Sequence, residues 1–537
     1  MPFLPVLLLL TACADPNPTE SAPASCEGDD GEAVEIVVAP YVQSVGADRA
    51  WVLWETQGGN GSRVDFGEGL SRTACGALLP LLPGADPEEL PTRVHEVELT
   101  GLPPDTLVEY RVRTGATEGE TLRFRTAPAD PEAATTLVVV ADTQHDPARM
   151  DTWREVAQDG VLDHMAATRG GTLAESVDAL LLPGDLVDNG WVDAEWRTEF
   201  FAPAAPLAAQ IPIYPALGNH DGESPHYFRY FHLPENGDAE RSYTFDRANL
   251  RVVGLDSNEP FADEEQLAWL GTVLDDACTT DTVDFVLVQQ HHPYLSELWP
   301  HGESSWTAQV VARMDSFANA CGKPVVNLYG HTHGYGRGAS PDAPHLFVNV
   351  ASGGGAIDRW GDDAQRDYPE FSVAQDTWGF VILDVTAGDA PSLHLQRVSR
   401  GNSDAPADNT LTDEVTIPRY GSPPATPAVL SATASCDAVE LRASAYQDAD
   451  GQPHAMTRWQ ASTTCADFSA PLVDRLRQGR NEWKGVDLQL GDDLTDEAFT
   501  DLPAGTELCV RVQYRDEGLA WSAWSEPALS PPAGCPG

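Results

Sequence analysis

Between Val34 and Thr126, short alternations of apolar and polar residues are separated by turn residues: Ala50 to Glu55, Arg63 to Phe66, Val94 to Leu99, Leu107 to Val112 and Thr121 to Arg125. Successive side chains of a strand face opposite sides, so this spacing predicts a two-sheet β sandwich over 36–127. After a Pro- and Ala-rich link from Ala127 to Ala134, the pattern changes. Leu137 to Ala141, Ala179 to Pro183, Phe285 to Val288 and Val325 to Leu328 are near-continuous apolar runs, with longer mixed segments between them. Strands covered on both faces read this way, so 135–400 is expected to be a layered α/β domain. A polar stretch rich in Pro, Gly, Asn and Asp at 401–427 reads as a linker, and sandwich spacing returns over 428–532.

Composition narrows the function classes. The chain has 537 residues, 42% of them apolar, and no stretch approaches the ~20 apolar residues of a spanning helix. Asp and Glu number 83 against 32 Lys and Arg, a formal net charge of −51, with Lys323 and Lys484 the only lysines. That charge repels phosphate backbones, so no nucleic-acid binding is expected, and most of it reads as a solvated surface.

At the N-terminus, the apolar run Pro2 to Leu10 leads into Leu10-Thr11-Ala12-Cys13, with no Lys or Arg before it. The stretch resembles the signal of a bacterial lipoprotein. The resemblance implies a signal peptide over 1–12, lipidation of Cys13, a flexible tether over 13–35, and an exported chain anchored to a membrane and facing the periplasm or cell surface. A signal cut after Ala12 that leaves Cys13 free is the other reading. Without Cys13, eight of the nine cysteines remain, grouped as Cys26 and Cys75, Cys278 and Cys321, then Cys436, Cys465, Cys509 and Cys535. An even count grouped by region predicts disulfides within each region and an oxidising compartment, and there is no CxxC to hold zinc.

Five apolar runs of the middle segment end in groups able to hold a metal: Asp142-Thr-Gln144, Gly184-Asp185-Leu-Val-Asp188, Gly218-Asn219-His220-Asp221, His291-His292 and Gly330-His331-Thr-His333. Strand ends on one edge of an α/β sheet converge on its ligand crevice. Carboxylates, an amide and imidazoles together suit Zn, Fe or Mn, and two such cations ~3.5 to 4 Å apart need a bridging carboxylate, for which Asp185 is the candidate.

Taken in order, the five blocks resemble the calcineurin-like metallophosphoesterase superfamily, and with a sandwich in front, its purple acid phosphatase-like branch; the resemblance covers Ala39 to Ser399. It implies an α/β/β/α sandwich flanked by two all-β fibronectin III-like domains and a centre of two divalent or trivalent ions. Asp142, Asp185 and His333 would hold the first, and Asp185, Asn219, His291 and His331 the second. A bridging hydroxide would attack phosphorus in a small phosphorylated substrate, His220 would protonate the leaving oxygen, and Asp221 would orient His220. Two positions depart from the family pattern. Gln144 stands where many relatives have a histidine, and Asp188 stands where the purple enzymes have a tyrosinate, so no purple colour is implied and Asp188 is a candidate replacement ligand. His301 is a candidate substrate contact, while Arg337 is either a second one or half of a structural ion pair. His145 is a further candidate ligand or an exposed loop histidine, His292 reads as a packing or outer neighbour of the site, and Gly353 to Gly355 as a turn beside it.

Leu99-Thr-Gly-Leu102-Pro-Pro-Asp-Thr106 and Trp521-Ser-Ala-Trp524-Ser525 resemble fibronectin type III features, the second implying tryptophans stacked between Arg511 and Arg515. Trp191, Trp196, Trp269, Trp299 and Trp306 read as core or cleft wall. The functional expectation is an acid phosphatase-like phosphomonoesterase. The alternatives are a phosphodiesterase or nucleotidase on the same centre, and a non-catalytic surface-binding lipoprotein whose C-terminal sandwich has an unknown partner.

Overall fold

The computed structural model describes residues 26, 31–79, 92–434, 438–500, 502 and 507–531. The expected signal, Cys13, Cys436 and Cys535 lie outside the described residues.

The described residues between 35 and 125 form two sheets. Strands Glu35–Gln43, Arg49–Gln57, Thr92–Thr100 and Ala77–Leu78 make one, and strands around Arg63–Phe66 and Leu107–Thr114 make the other. Strict alternation of buried and half-buried positions along Leu107–Thr114 sends Val108, Tyr110 and Val112 inward against Trp54 and Phe124. The sandwich is docked onto the next domain by polar groups that burial makes costly to separate. Glu55, fully buried, accepts from Tyr230 Oη at 2.9 Å and Arg229 Nη2 at 3.1 Å, and Tyr110 Oη donates to Ala209 O at 2.9 Å.

The middle domain has two sheets. In one, Ile213–Pro215, Ala179–Leu182 and Thr135–Val139 run parallel, followed by Trp378–Val385, Ser392–Gly401 and Pro406–Pro418. In the other, Leu250–Gly254, Phe285–Gln289, Val325–Tyr329 and His345–Asn349 are parallel neighbours. One apolar core spans both sheets, from Leu180 and Val381 to Leu287 and Val348. Helical segment 152–169 covers the first sheet, with Gly160 against Phe380.

Helices Glu264–Thr279 and Ser305–Cys321 cover the second sheet. The first helix begins where Asp263 accepts from the amides of Glu265 and Gln266, a cap worth about 1 kcal/mol. Leu267, Leu270, Leu274 and Ala277 recur at helical spacing and bury the face turned to Val253 and Val288. The second ends at Gly322, φ +63°, where a left-handed residue stops the helix. Cys278–Cys321 joins the two helix ends; Cys26–Cys75 and Cys465–Cys509 are likewise paired within their regions.

The expected linker at 401–427 needs correction in its middle. Residues Pro406–Pro418 form a 13-residue strand on the edge of the first sheet, with Asp413, Val415 and Ile417 turned inward. The inward aspartate hides the alternation from a hydrophobicity reading.

The described residues between 429 and 530 fold into sheets of three and four strands. Arg511 lies 4.0 Å over Trp524, and Arg515 lies 5.5 Å over Trp521, the ladder that the motif implied. Arg515 is fully buried and donates across the domain boundary to Ser340 O at 2.6 Å and Ala343 O at 2.7 Å. Glu482 pairs in parallel with Val373, so this sandwich also extends the second sheet of the middle domain. Among the described residues, no helix is long and apolar enough to cross a membrane.

Candidate functional site

Each parallel strand stops just short of a polar residue, and at three of those residues the backbone turns into the left-handed region: Asp142 at φ +58°, Asp185 at +54° and His331 at +71°. Non-glycine residues rarely adopt this conformation, and its recurrence at one crevice marks a site that the surrounding fold holds under constraint. The two sheets meet here through the bridge of Ala141 to Ala351.

Two clusters of donor atoms result. In the first, Asp142 Oδ1 lies 3.2 Å from His333 Nε2, and Gln144 Nε2 lies 3.3 Å from that same nitrogen. Gln144 Oε1 is buried with no hydrogen-bond partner. Whichever way that amide is turned, one polar atom faces His333 and the other is orphaned, at a cost that a cation beside it would remove. In the second, His291 Nε2 lies 3.1 Å from Asp185 Oδ2 and 3.0 Å from Asn219 Oδ1. Asp185, His291 and His331 each offer a ligand atom, all within 4.8 Å of one another.

The outer atoms of the imidazoles are fixed by main chain. His291 Nδ1 donates to Pro183 O at 3.0 Å and His333 Nδ1 to Ala356 O at 2.6 Å, which leaves Nε2 of each for the centre. Burial disfavours a charged His291, yet the Asp185 carboxylate outweighs it and raises the ring to about 9. At His333, burial is likewise overcome, by the hydrogen bond to Asp142, and the ring rises to about 9. At His331, burial and then the neighbouring His291 depress the ring far below the ordinary imidazole range. The carboxylates thus hold positive charge at two points, and a bound cation would displace the protons that satisfy them otherwise. Hard oxygens, an amide and imidazoles in two adjoining sets fit a pair of transition ions.

Glycines of the motifs permit this crowding. A Cβ on Gly218 would lie 2.1 Å from Asp185 Oδ1, and one on Gly330 would lie 2.3 Å from Asp142 Oδ2, so no side chain fits at either position.

Other expected residues are placed differently. His220 Nδ1 donates to Asp188 O at 2.7 Å, so the main chain orients this ring. Asp221, expected to orient it, instead accepts from the amides of Asp185 at 2.9 Å, Leu186 at 2.8 Å and Gly218 at 2.9 Å, clamping two ligand loops together. The Asp188 carboxylate is exposed and stands outside both donor clusters, 3.6 Å from His220 Nδ1, so it does not replace the missing tyrosinate. Arg337, a candidate substrate contact, is buried and gives Nε and Nη2 to Asp413 at 2.6 and 2.9 Å, so the ion-pair alternative holds. His301 is exposed on the turn Pro300–Gly302, which lies against His331. His292 Nδ1 meets Ser257 Oγ at 2.9 Å as an outer neighbour, and His145 Nδ1 lies 3.5 Å from Glu199 Oε1. Gly354 and Gly355 donate to Asp142 O at 2.7 and 2.9 Å, a turn that supports the first cluster.

Sequence reading missed Asp358, whose Oδ2 accepts from the His333 amide at 2.7 Å. It belongs to no motif, and neither it nor the carbonyls of Pro183 and Ala356 left a signal to read.

Comparison with known proteins agrees with this geometry. Residues 135–335 match the calcineurin-like phosphoesterase family. A probable cyclic nucleotide phosphodiesterase of Rhodococcus erythropolis (strain PR4 / NBRC 100887) is 36% identical over 124 residues, which are 22% of this chain and 38% of that protein. Among solved structures, the purple acid phosphatase PPD1 from yellow lupin (Lupinus luteus) seeds superposes with a TM-score of 0.53 at 16% identity, over 71% of this chain and 74% of that one. PhoD does so with a TM-score of 0.52 at 13% identity, over 72% and 90%. At these identities the structural likenesses speak for the fold alone.

Proposed function

We propose, from the premise that residues 135–335 form a calcineurin-like phosphoesterase domain, that the chain is a metal-dependent hydrolase of small phosphate monoesters. The observation that carries this reading is the meeting of buried Asp185 and His291 with half-buried His331, with Asn219 beside them and His291 held by its outer nitrogen. Asp142, Gln144 and His333 would hold one ion, and Asn219, His291 and His331 the other, with Asp185 shared. When bound, the ions supply the positive charge that orients the phosphoryl oxygens and acidifies the attacking water. The chain's own part is positioning and proton handling. His220, fixed through Nδ1 and exposed, would present Nε2 to protonate the leaving oxygen. Asp221 keeps the Asp185 and Asn219 loops at a fixed separation.

A phosphodiesterase is the second reading, favoured by the name of the Rhodococcus relative. The test uses the full chain loaded in turn with Mn, Zn and Fe, on a nitrophenyl monoester and its bis-nitrophenyl diester. Monoester turnover should exceed diester turnover, and His331→Ala should lower kcat/KM by at least about 100-fold, the upper range for weakened metal support. Preference for the diester selects the second reading, and no turnover with any metal rejects both.

The same proposal places the chain outside the inner membrane, anchored through lipid on Cys13; three disulfides support an oxidising compartment. Intact-mass analysis of membrane-derived protein should find a chain that begins at a lipid-modified Cys13. An unmodified Cys13 would reject the anchor.

A further inference from the structure

The loop that carries Asn219 and His220 is gripped at both ends by one short segment, residues 256–258. At one end Asn258 Nδ2 donates to Leu217 O at 3.2 Å, and at the other the Asp256 carboxyl meets that of Glu223, side chain to side chain. The segment is itself firmly set. Gln266 on the helix Glu264–Thr279 accepts from the Asp256 amide at 2.8 Å and donates to Asp256 O at 2.7 Å. Ser257 Oγ accepts from the His292 amide at 2.9 Å, next to His291.

Each carboxyl of the pair has one oxygen committed and one bare. Asp256 Oδ1 accepts from the amide and from Nδ2 of Asn258, both at 2.9 Å. Glu223 Oε2 accepts from Arg241 Nε at 3.1 Å and Nη2 at 2.8 Å. Asp256 Oδ2 and Glu223 Oε1 are buried and have no hydrogen-bond partner, and Asp256 as a whole is closed to solvent. Two carboxylates in contact away from water repel each other, and one proton between them replaces that repulsion with a charge-assisted hydrogen bond. Burial, aided by the Glu223 charge and opposed by the hydrogen bond from the Asn258 amide, raises Asp256 to about 7.

The other titratable groups around the pair are already engaged. Arg241 is paired with Glu223, lies 3.7 Å from Asp238 and is held over the Phe261 ring. Tyr227, which also feels Asp221 and Glu240, donates its hydroxyl to Pro215 O at 3.1 Å. His292 stands behind Ser257, and burial followed by the His291 charge lowers its ring to about 4.

We propose that Glu223 and Asp256 are a positioning pair for the loop of Asn219 and His220: a proton shared between Glu223 Oε1 and Asp256 Oδ2 closes the grip, and its departure to solvent leaves two carboxylates that push the loop and segment 256–258 apart. The grip belongs to the fold, and only its effect on hydrolysis rests on the phosphoesterase reading. A carboxyl whose folded value is raised contributes stability that is present below its unfolded value of about 3.9 and is lost as pH rises through the folded value. The grip therefore holds in acid and opens toward alkaline pH.

Hydrogen exchange of the stretch 217–224 in the full chain, corrected for the intrinsic pH dependence of exchange, reads the grip directly. Wild-type protection should fall between pH 6 and pH 8. In Asp256→Asn the amide keeps an oxygen for Asn258 and gives an N–H to Glu223 Oε1 at every pH, so protection should stay level. Glu223→Gln offers the matching N–H to Asp256 Oδ2 and takes over the test if the first variant does not fold. Wild-type protection that stays level with pH, or a variant that loses protection as wild type does, overturns the proposal. Activity carries the grip to the site. The ratio of kcat/KM for the nitrophenyl monoester, Asp256→Asn over wild type, should rise about tenfold from pH 6 to pH 8, since a group one unit above its value keeps about a tenth of its protons. Protection that follows pH without any turnover would uphold the grip and reject the hydrolase. Turnover at a ratio that does not change with pH would reject the positioning role.

Discussion

Asp185→Asn is expected to reduce the bound metal from two ions per chain to at most one and to lower hydrolysis by more than about 100-fold, since loss of outer partners alone costs 10- to 100-fold. Asp185 is the carboxylate that the two ions would share in the proposed function. Its Oδ2 lies 3.1 Å from His291 Nε2, and its Oδ1 accepts from the His220 amide at 2.8 Å. Asparagine keeps the shape and an oxygen for that amide, so the loop stays in place while the negative charge is lost. Asp221 still clamps the two loops through the amides of residues 185, 186 and 218, which argues against simple unfolding. Elemental analysis of the dialysed protein, alongside circular dichroism, checks the outcome. Two ions retained per chain would show that Asp185 is not shared, and full activity with one ion would remove the need for the pair.

The residues that sequence placed at the centre were legible for a physical reason. Three of the five strand ends, at Asp185, Asn219 and His331, repeat one grammar, an apolar run broken by glycine and then a polar residue, and the crowding at Gly218 and Gly330 admits no side chain. What could not be read is carried by main chain or by partners distant along the chain. His220 is oriented by a carbonyl, Asp188 O, so its partner was sought among side chains and assigned to Asp221. Arg337 stayed open between substrate contact and ion pair in sequence because Asp413, its partner, lies 76 positions away on a strand that reads as linker. The flanking sandwiches were visible through alternation, whereas their docking was not. A buried Arg515 reaching Ser340 O follows no local pattern. Nor does Glu55 facing Tyr230.

Asp413 gives the largest expected effect on stability. Its carboxylate has no exposed surface; Oδ2 accepts from Tyr335 Oη at 2.7 Å and Arg337 Nε at 2.6 Å, and Oδ1 from Arg337 Nη2 at 2.9 Å and Arg480 Nη1 at 2.7 Å. One side chain thus ties the strand that leaves His333, the edge strand of the first sheet and the C-terminal sandwich. Asp413→Ala leaves the Arg337 guanidinium buried without its anion, a loss of about 3 to 5 kcal/mol, whereas Arg480 keeps partial access to water. Burial alone would raise the carboxyl, but Arg337 outweighs it and holds Asp413 below the ordinary carboxylate range. A carboxyl whose folded value is depressed contributes stability above its unfolded value of about 3.9, and that contribution is lost as pH falls through the folded value. Wild type and Asp413→Ala should therefore differ most near pH 7 and converge as pH drops from about 5 toward 3. Urea unfolding at pH 7 and pH 4 measures both effects. A difference under about 1 kcal/mol at pH 7 would mean that the pair does not govern this junction. If KM for the monoester rises in Arg337→Ala while that variant is still folded, Arg337 has a substrate role after all.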